Sequence, residues 1–152
     1  MKASSFFSQE QKEKVREAIS QAEKETSGEI RVHIESSCNE DVLDRAAWIF
    51  AKLGMHKTAE RNGVLFYLAV RDRKFAVIGD AGINSKVPEG FWDSVKETLR
   101  KNFVRGLFAE GLSEGIILAG RQLRKHFPYR SDDINELSDE ISFDMPLEKE
   151  KK

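Results

Sequence analysis

The chain has 152 residues, with 25 Lys and Arg against 26 Asp and Glu, for a formal net charge of −1. That balance excludes bulk electrostatic attraction to nucleic acid or to an anionic membrane. One cysteine, Cys38, excludes an intramolecular disulfide framework and a Cys-cluster metal site. At 39% hydrophobic and 34% charged residues, the length suits one domain with its own core. No apolar stretch precedes the charged run Gln9 to Lys14, and the longest apolar run, Val64 to Val70, is too short to cross a bilayer. A soluble cytoplasmic monomer is the expectation.

Ser8 followed by Gln11 is a capping-box pattern and predicts a helix start, with Val15, Ala18, Ile19 and Ala22 on one face and a stop at Thr26-Ser27-Gly28. Glu29 to Glu35 alternates, with Ile30, Val32 and Ile34 on one side. It predicts a strand half-buried on that side, or covered on the other by a partly polar layer. Asp41 can cap a second helix that ends at Gly54. Gly63 to Val70 is almost continuously apolar and predicts a central strand buried on both faces. The short link Arg71-Asp72-Arg73 permits only an antiparallel hairpin to the strand Lys74 to Gly79. Asp80 to Lys86 is then a loop, Val87-Pro88 opens a third helix, and a fourth carries Leu112, Ile116, Ala119 and Leu123 and ends before Pro128. Its Gly111, Gly115 and Gly120 weaken it intrinsically and point to close packing. Residues 1–130 form the expected domain. Residues 131–152 form an acidic segment with a short helix near Asp132 to Ile141 and a disordered end. The order α-β-α-β-β-α-α predicts an α/β fold, a mixed three- or four-stranded sheet with helices on both faces.

A parallel first pair and an antiparallel third strand bring three polar turns to one sheet edge: Thr26-Ser27-Gly28-Glu29, Arg61-Asn62-Gly63 and Gly79-Asp80-Ala81-Gly82. Glu29, Asn62 and Asp80 offer carboxylate and amide oxygens there, which suit Ca2+ or Mg2+, and Asn84, Glu89 and Asp93 follow closely enough to add ligands. The plainer alternative is that Asp80 and Asn62 satisfy turn backbone and that Glu29 is a solvated strand start. The opposite edge gathers Glu35, Asn39, Glu40, Asp41, Asp44 and Asp72, but Arg71, Arg73 and Lys74 oppose a cation there and capping explains Asp41. His33, His56 and His126 are isolated and lack zinc spacing. Cys38 and Arg45 are one residue too far apart for a cysteine-phosphatase loop, and phosphate-loop, dinucleotide, nucleophile-elbow and EF-hand patterns are absent. Trp48 and Trp92 lie at core spacing. No residue is assigned a catalytic role.

Thr26-Ser27-Gly28-Glu29-Ile30-Arg31-Val32, Arg61-Asn62-Gly63-Val64-Leu65, Gly79-Asp80-Ala81-Gly82-Ile83 and Phe108-Ala109-Glu110-Gly111-Leu112-Ser113-Glu114-Gly115-Ile116 together resemble the TPM domain family over about residues 8–127. The resemblance is to its small, single-domain bacterial members. It implies a three-layer α/β/α sandwich and divalent-cation binding, notably calcium. It also implies an alternative, the acid phosphatase activity credited to a thylakoid-lumen relative linked to photosystem II repair. Many relatives carry a signal peptide and a membrane anchor, and this chain shows neither pattern. Where many relatives read glycine, aromatic, glycine, leucine, glutamate at the third turn, this chain has Gly79-Asp80-Ala81-Gly82-Ile83-Asn84, which shifts a ligand role to Asp80 or Asn84. The expected function is thus cation binding. One alternative is weak metal-assisted phosphomonoester hydrolysis with Glu29 or Asp80 as general base. The other is a non-enzymatic module that docks a protein through the acidic segment or the hairpin edge.

Overall fold

Four strands form one sheet in the order β3-β2-β1-β4: β1 (Glu29–Glu35), β2 (Gly63–Ala69), β3 (Lys74–Gly79) and β4 (Ser142–Phe143). The computed structural model describes residues 2–129 and 141–144. β1 and β2 run parallel in full register from Glu29↔Gly63 to Glu35↔Ala69, and β2 pairs antiparallel with β3. The helices are α1 (Ala3–Phe6), α2 (Gln9–Glu23), α3 (Val42–Lys52), α4 (Ala81–Asn84), α5 (Phe91–Phe103) and α6 (Phe108–His126).

Strand alternation divides the interior in two. Ile30, Val32, Ile34, Val64, Phe66, Leu68 and Val77 join Val15 and Ile19 of α2, Val95 and Leu99 of α5, and Leu112 and Ile116 of α6. Leu65, Tyr67, Ala69 and Ala76, pointing the other way, meet Ala46, Ile49 and Phe50 of α3. Every β2 residue is buried, which is why its sequence reads as a continuous apolar run. The result is the expected three-layer α/β/α arrangement. No helix among the described residues is long and apolar enough to cross a membrane.

The glycines of α6 are contact points. A Cβ on Gly115 would lie 3.0 Å from both Leu99 and Phe66, and one on Gly120 would lie 2.9 Å from Ala22. Their absence lets α2 and α5 approach the α6 backbone. At the start of α2, Ser8 Oγ accepts from Gln11 N (3.1 Å) while Gln11 Oε1 accepts from Ser8 N (2.8 Å), so the capping box is complete. Ser8→Ala should therefore cost about 1 kcal/mol in chemical denaturation; an unchanged midpoint would show that the cap contributes nothing.

Four features differ from the expectation. α5 starts at Phe91 and not at Pro88, because Gly90 has φ +83° and breaks the helical path. The loop after β3 is one short helix, α4, capped by Asp80. Trp48 is only partly buried and lies under Arg45 and Lys52, with cation–ring distances of 4.6 and 5.5 Å. Ser142–Phe143, beyond the expected domain, adds the fourth strand beside His33 and Ile34. The helix expected over Asp132 to Ile141 and the disordered end lie outside the described residues, except Ile141, which is buried and not helical.

Candidate functional site

The three turns do converge where β1 and β2 begin and β3 ends. Glu29 N donates to Asn62 O (3.4 Å), Asp80 N to Gly63 O (2.9 Å) and Gly82 N to Arg61 O (2.8 Å). A side chain on Gly82 would collide with the carbonyl oxygens of Glu60 and Arg61, so only glycine lets α4 approach that turn. The first turn is tied down separately. The Thr26 hydroxyl donates to Phe127 O and accepts from Gly28 N, and a Cβ on Gly28 would lie 2.7 Å from Leu123.

Glu29, Asn62 and Asp80 are all buried, at 4%, 2% and 6% exposure. Asp80 is the centre of the edge. Its carboxylate accepts from Arg61 Nε and Nη2, both at 2.7 Å, and from Ala81 N at 2.7 Å. Burial alone would raise the pKa of Asp80, but the Arg61 fork and the Ala81 amide outweigh it and hold the group below its ordinary value. Asp80 therefore stays a carboxylate at neutral pH. Its partner Arg61 is 52% exposed and adopts φ +52°, the left-handed region.

The other expected ligands lie further out. Asn84 Nδ2 donates to Gly79 O (2.7 Å) and its Oδ1 accepts from Trp92 Nε1 (2.8 Å), so its amide is locked in place. Asn84, Glu89 and Asp93 border a separate open hollow of about 280 Å3 at the start of α5, where Asp93 is 85% exposed. The edge thus brings Glu29, Asn62 and Asp80 together, with Asn84 alongside, and leaves Glu89 and Asp93 on the α5 side.

The donor types at this edge, oxygens only, fit a hard cation. Among the described residues no three His, Cys, Asp or Glu side chains are grouped to hold a metal ion. A cation here would need amide and carbonyl oxygens beside Asp80, and it would have to displace the Arg61 guanidinium.

The other end of β1 carries a buried polar network. Glu35, 2% exposed, accepts from Arg45 Nε (3.0 Å) and Nη2 (2.7 Å) and from Tyr67 Oη (2.6 Å), and its Oε2 lies 3.2 Å from His33 Nε2. His33 Nδ1 in turn lies 2.6 Å from Ser142 Oγ, which links β4 to the network. Burial pushes the Glu35 carboxyl up, but the bonds from His33, Arg45 and Tyr67 win and hold it at about 2. Burial and the Glu35 charge push Tyr67 up, so its phenol remains a donor.

Of the rival acidic cluster, Glu35 is thus an internal anion and Asp41 is the α3 cap. Asp72 accepts from Cys38 N (2.6 Å), and Lys74 Nζ donates to Cys38 O and Glu40 O. The sequence reading missed Arg45 and Tyr67 as partners. A guanidinium one residue before Ala46 and four before Ile49, on the apolar stripe of α3, was the available signal.

The fold and its polar edge define a small α/β/α sandwich domain with a carboxylate-centred site at the parallel strand starts. The TPM domain model matches residues 1–122, and the chain belongs to that family. It is similar to the BA42 protein of the psychrophilic bacterium Bizionia argentinensis, known from an NMR structure. The two share 46% identity and a TM-score of 0.84, over 90% of this chain and 94% of that one. The N-terminal domain of a P. gingivalis protein shares the fold at 22% identity and a TM-score of 0.65, over 83% of each chain. So does the N-terminal domain of a Corynebacterium glutamicum protein, at 14% identity and 0.63, over 78% of this chain and 74% of that one. No curated protein matches the chain.

Proposed function

We propose that this TPM domain binds a divalent cation, Ca2+ or Mg2+, at the sheet edge by exchange with the Arg61 guanidinium. One observation supports the reading. A buried carboxylate held ionised at neutral pH by its hydrogen bonds, Asp80, stands where three turns meet, and its only ion-pair partner among the described residues is more than half exposed. The guanidinium is exposed to solvent and salt, so a doubly charged ion can compete for the carboxylate. Asp80 would be the anionic ligand, with Asn62 and Glu29 at the same edge as the next donors. A bound cation would supply charge neutralisation and fix the three turns relative to one another.

Titration with Ca2+ or Mg2+, followed by backbone amide shifts, tests this. The amides of Glu29, Asn62, Asp80 and Gly82 should move at millimolar ion, and Asp80→Asn should abolish the response. Arg61→Gln should tighten binding, because the competing cation is removed. Amides that stay still, or an Arg61→Gln variant that binds more weakly, would overturn the assignment. The phosphomonoesterase alternative is separated by p-nitrophenyl phosphate turnover. Hydrolysis that Asp80→Ala abolishes would favour it, and hydrolysis that survives would place it elsewhere.

A further inference from the structure

The end of the sheet away from the cation edge carries a second feature, independent of the first. Between the β2–β3 hairpin and the junction of α5 with α6 lies an apolar cavity of about 110 Å3. Leu68 and Phe103, both buried, form its floor. Phe75 and Phe108 wall it, with ring centroids 5.2 and 5.1 Å from that of Phe103. Val104, at 68% exposure, stands on its rim and is the most exposed of the large hydrophobic residues described.

The rim is also cationic. Arg73 and Arg100 line the mouth, and among the described residues no carboxylate does. Arg73 is exposed, occupies a left-handed position (φ +56°) that suits glycine or asparagine better, and makes no ion pair among the described residues. Arg100 pairs with Glu97 at 2.6 Å, but both side chains are more than half exposed, and such a pair exchanges easily. Exposed Arg71, Lys101 and Arg105 add positive charge in the same hairpin and helix end. The hairpin's own acid, Asp72, is committed to the Cys38 amide.

We infer that this cavity docks an acidic peptide segment of a partner protein, with one leucine side chain in the cavity and neighbouring carboxylates on Arg73 and Arg100. Size selects the anchor. At about 110 Å3 the cavity is smaller than the roughly 150 Å3 that takes a benzene ring, so it suits one branched aliphatic side chain and not a phenyl ring or a long acyl tail. Shape selects against a lipid surface, since a concave aromatic pocket receives a group and does not insert into a bilayer. Charge selects the flanks, because the guanidinium fork binds carboxylates in two parallel hydrogen bonds. The net charge of −1 hides this local basic face.

The full chain, 15N-labelled, can be titrated with the capped peptide Asp-Glu-Leu-Glu-Asp. Two control peptides carry serine in place of leucine or glutamine in place of every acid. The amides of Arg73, Phe75, Val104 and Phe108 should shift, and both controls should bind at least tenfold more weakly. Val104→Asp and the double variant Arg73→Glu/Arg100→Glu, all on exposed positions, should each weaken binding tenfold or more, while Asp80→Asn should leave it unchanged. No shift at millimolar peptide, shifts elsewhere, or equal binding of either control would overturn the proposal. So would binding of phosphatidylglycerol vesicles without binding of the peptide, which would make the face a membrane surface instead.

Discussion

Glu35→Ala should lower the unfolding free energy at pH 7 by about 3–5 kcal/mol, read from urea midpoints, because it removes the carboxylate that lies nearest the buried Arg45 guanidinium. Arg45 is 2% exposed and loses both its hydrogen bonds to Glu35, while Tyr67 loses its acceptor. The deficit is thus the cost of under-satisfied buried donors, with Arg45 keeping its 3.9 Å approach to Glu40 and its place over the Trp48 ring, and not the net worth of the ion pair. Glu35→Leu/Arg45→Met should accordingly recover part of the loss, since the two charges leave together and apolar volume takes their place, while the Tyr67 hydroxyl still lacks its acceptor. A double variant as unstable as Glu35→Ala would sink this account.

The same residue predicts an acid response. Its folded pKa of about 2 is below the unfolded value of 4.5, so its contribution is fully present above about pH 4.5 and is lost as pH falls towards 2. The difference corresponds to about 3 kcal/mol. The stability gap between the wild type and Glu35→Ala should therefore narrow between pH 5 and pH 2, and a constant gap would argue against an ionised Glu35.

Phe66→Ala should cost about 3–5 kcal/mol as well, for an unrelated reason. Phe66 is fully buried at the centre of β2, and its ring fills the space that Gly115 leaves on α6. Alanine would open a cavity between the sheet and α6 that rigid backbones cannot close. No titratable group is involved, so this cost should be the same at pH 7 and pH 3. Urea denaturation of both variants at the two pH values separates the mechanisms: one deficit shrinks in acid and the other does not. A Phe66→Ala deficit below about 1 kcal/mol would mean that the layers relax into the gap.

These two residues show what each face of the sheet demands. The apolar face was legible residue by residue, because Ile30, Val32 and Ile34 alternate and Val15, Val95, Leu112 and Ile116 recur at helical spacing. The α3 face was legible only as a partly polar layer. In a linear reading His33 is an isolated strand histidine, Glu35 one of an acidic cluster and Arg45 a helix residue, and their mutual satisfaction depends on β1 and α3 meeting across the sheet. The candidate cation site divides in the same way. Parallel pairing of β1 with β2 and the short hairpin were enough to bring Glu29, Asn62 and Asp80 to one edge. That Arg61 already occupies Asp80, and that Trp92 locks Asn84, could not be read from spacing.

The sequence by itself determined the order of the seven longer elements, the central burial of β2, the pairings of β2 with β1 and β3, the Ser8 and Asp41 caps and the meeting of three polar turns. These follow from local periodicity, turn length and chain direction, which act over a few residues. Only the tertiary structure decided which charges are internal, that Ser142 and Phe143 extend the sheet, that Gly90 delays α5, and that a neutral chain has a basic aromatic pocket at one end. Those depend on side chains distant in sequence sharing a low-dielectric interior or one rim, where proximity and not periodicity sets the energy.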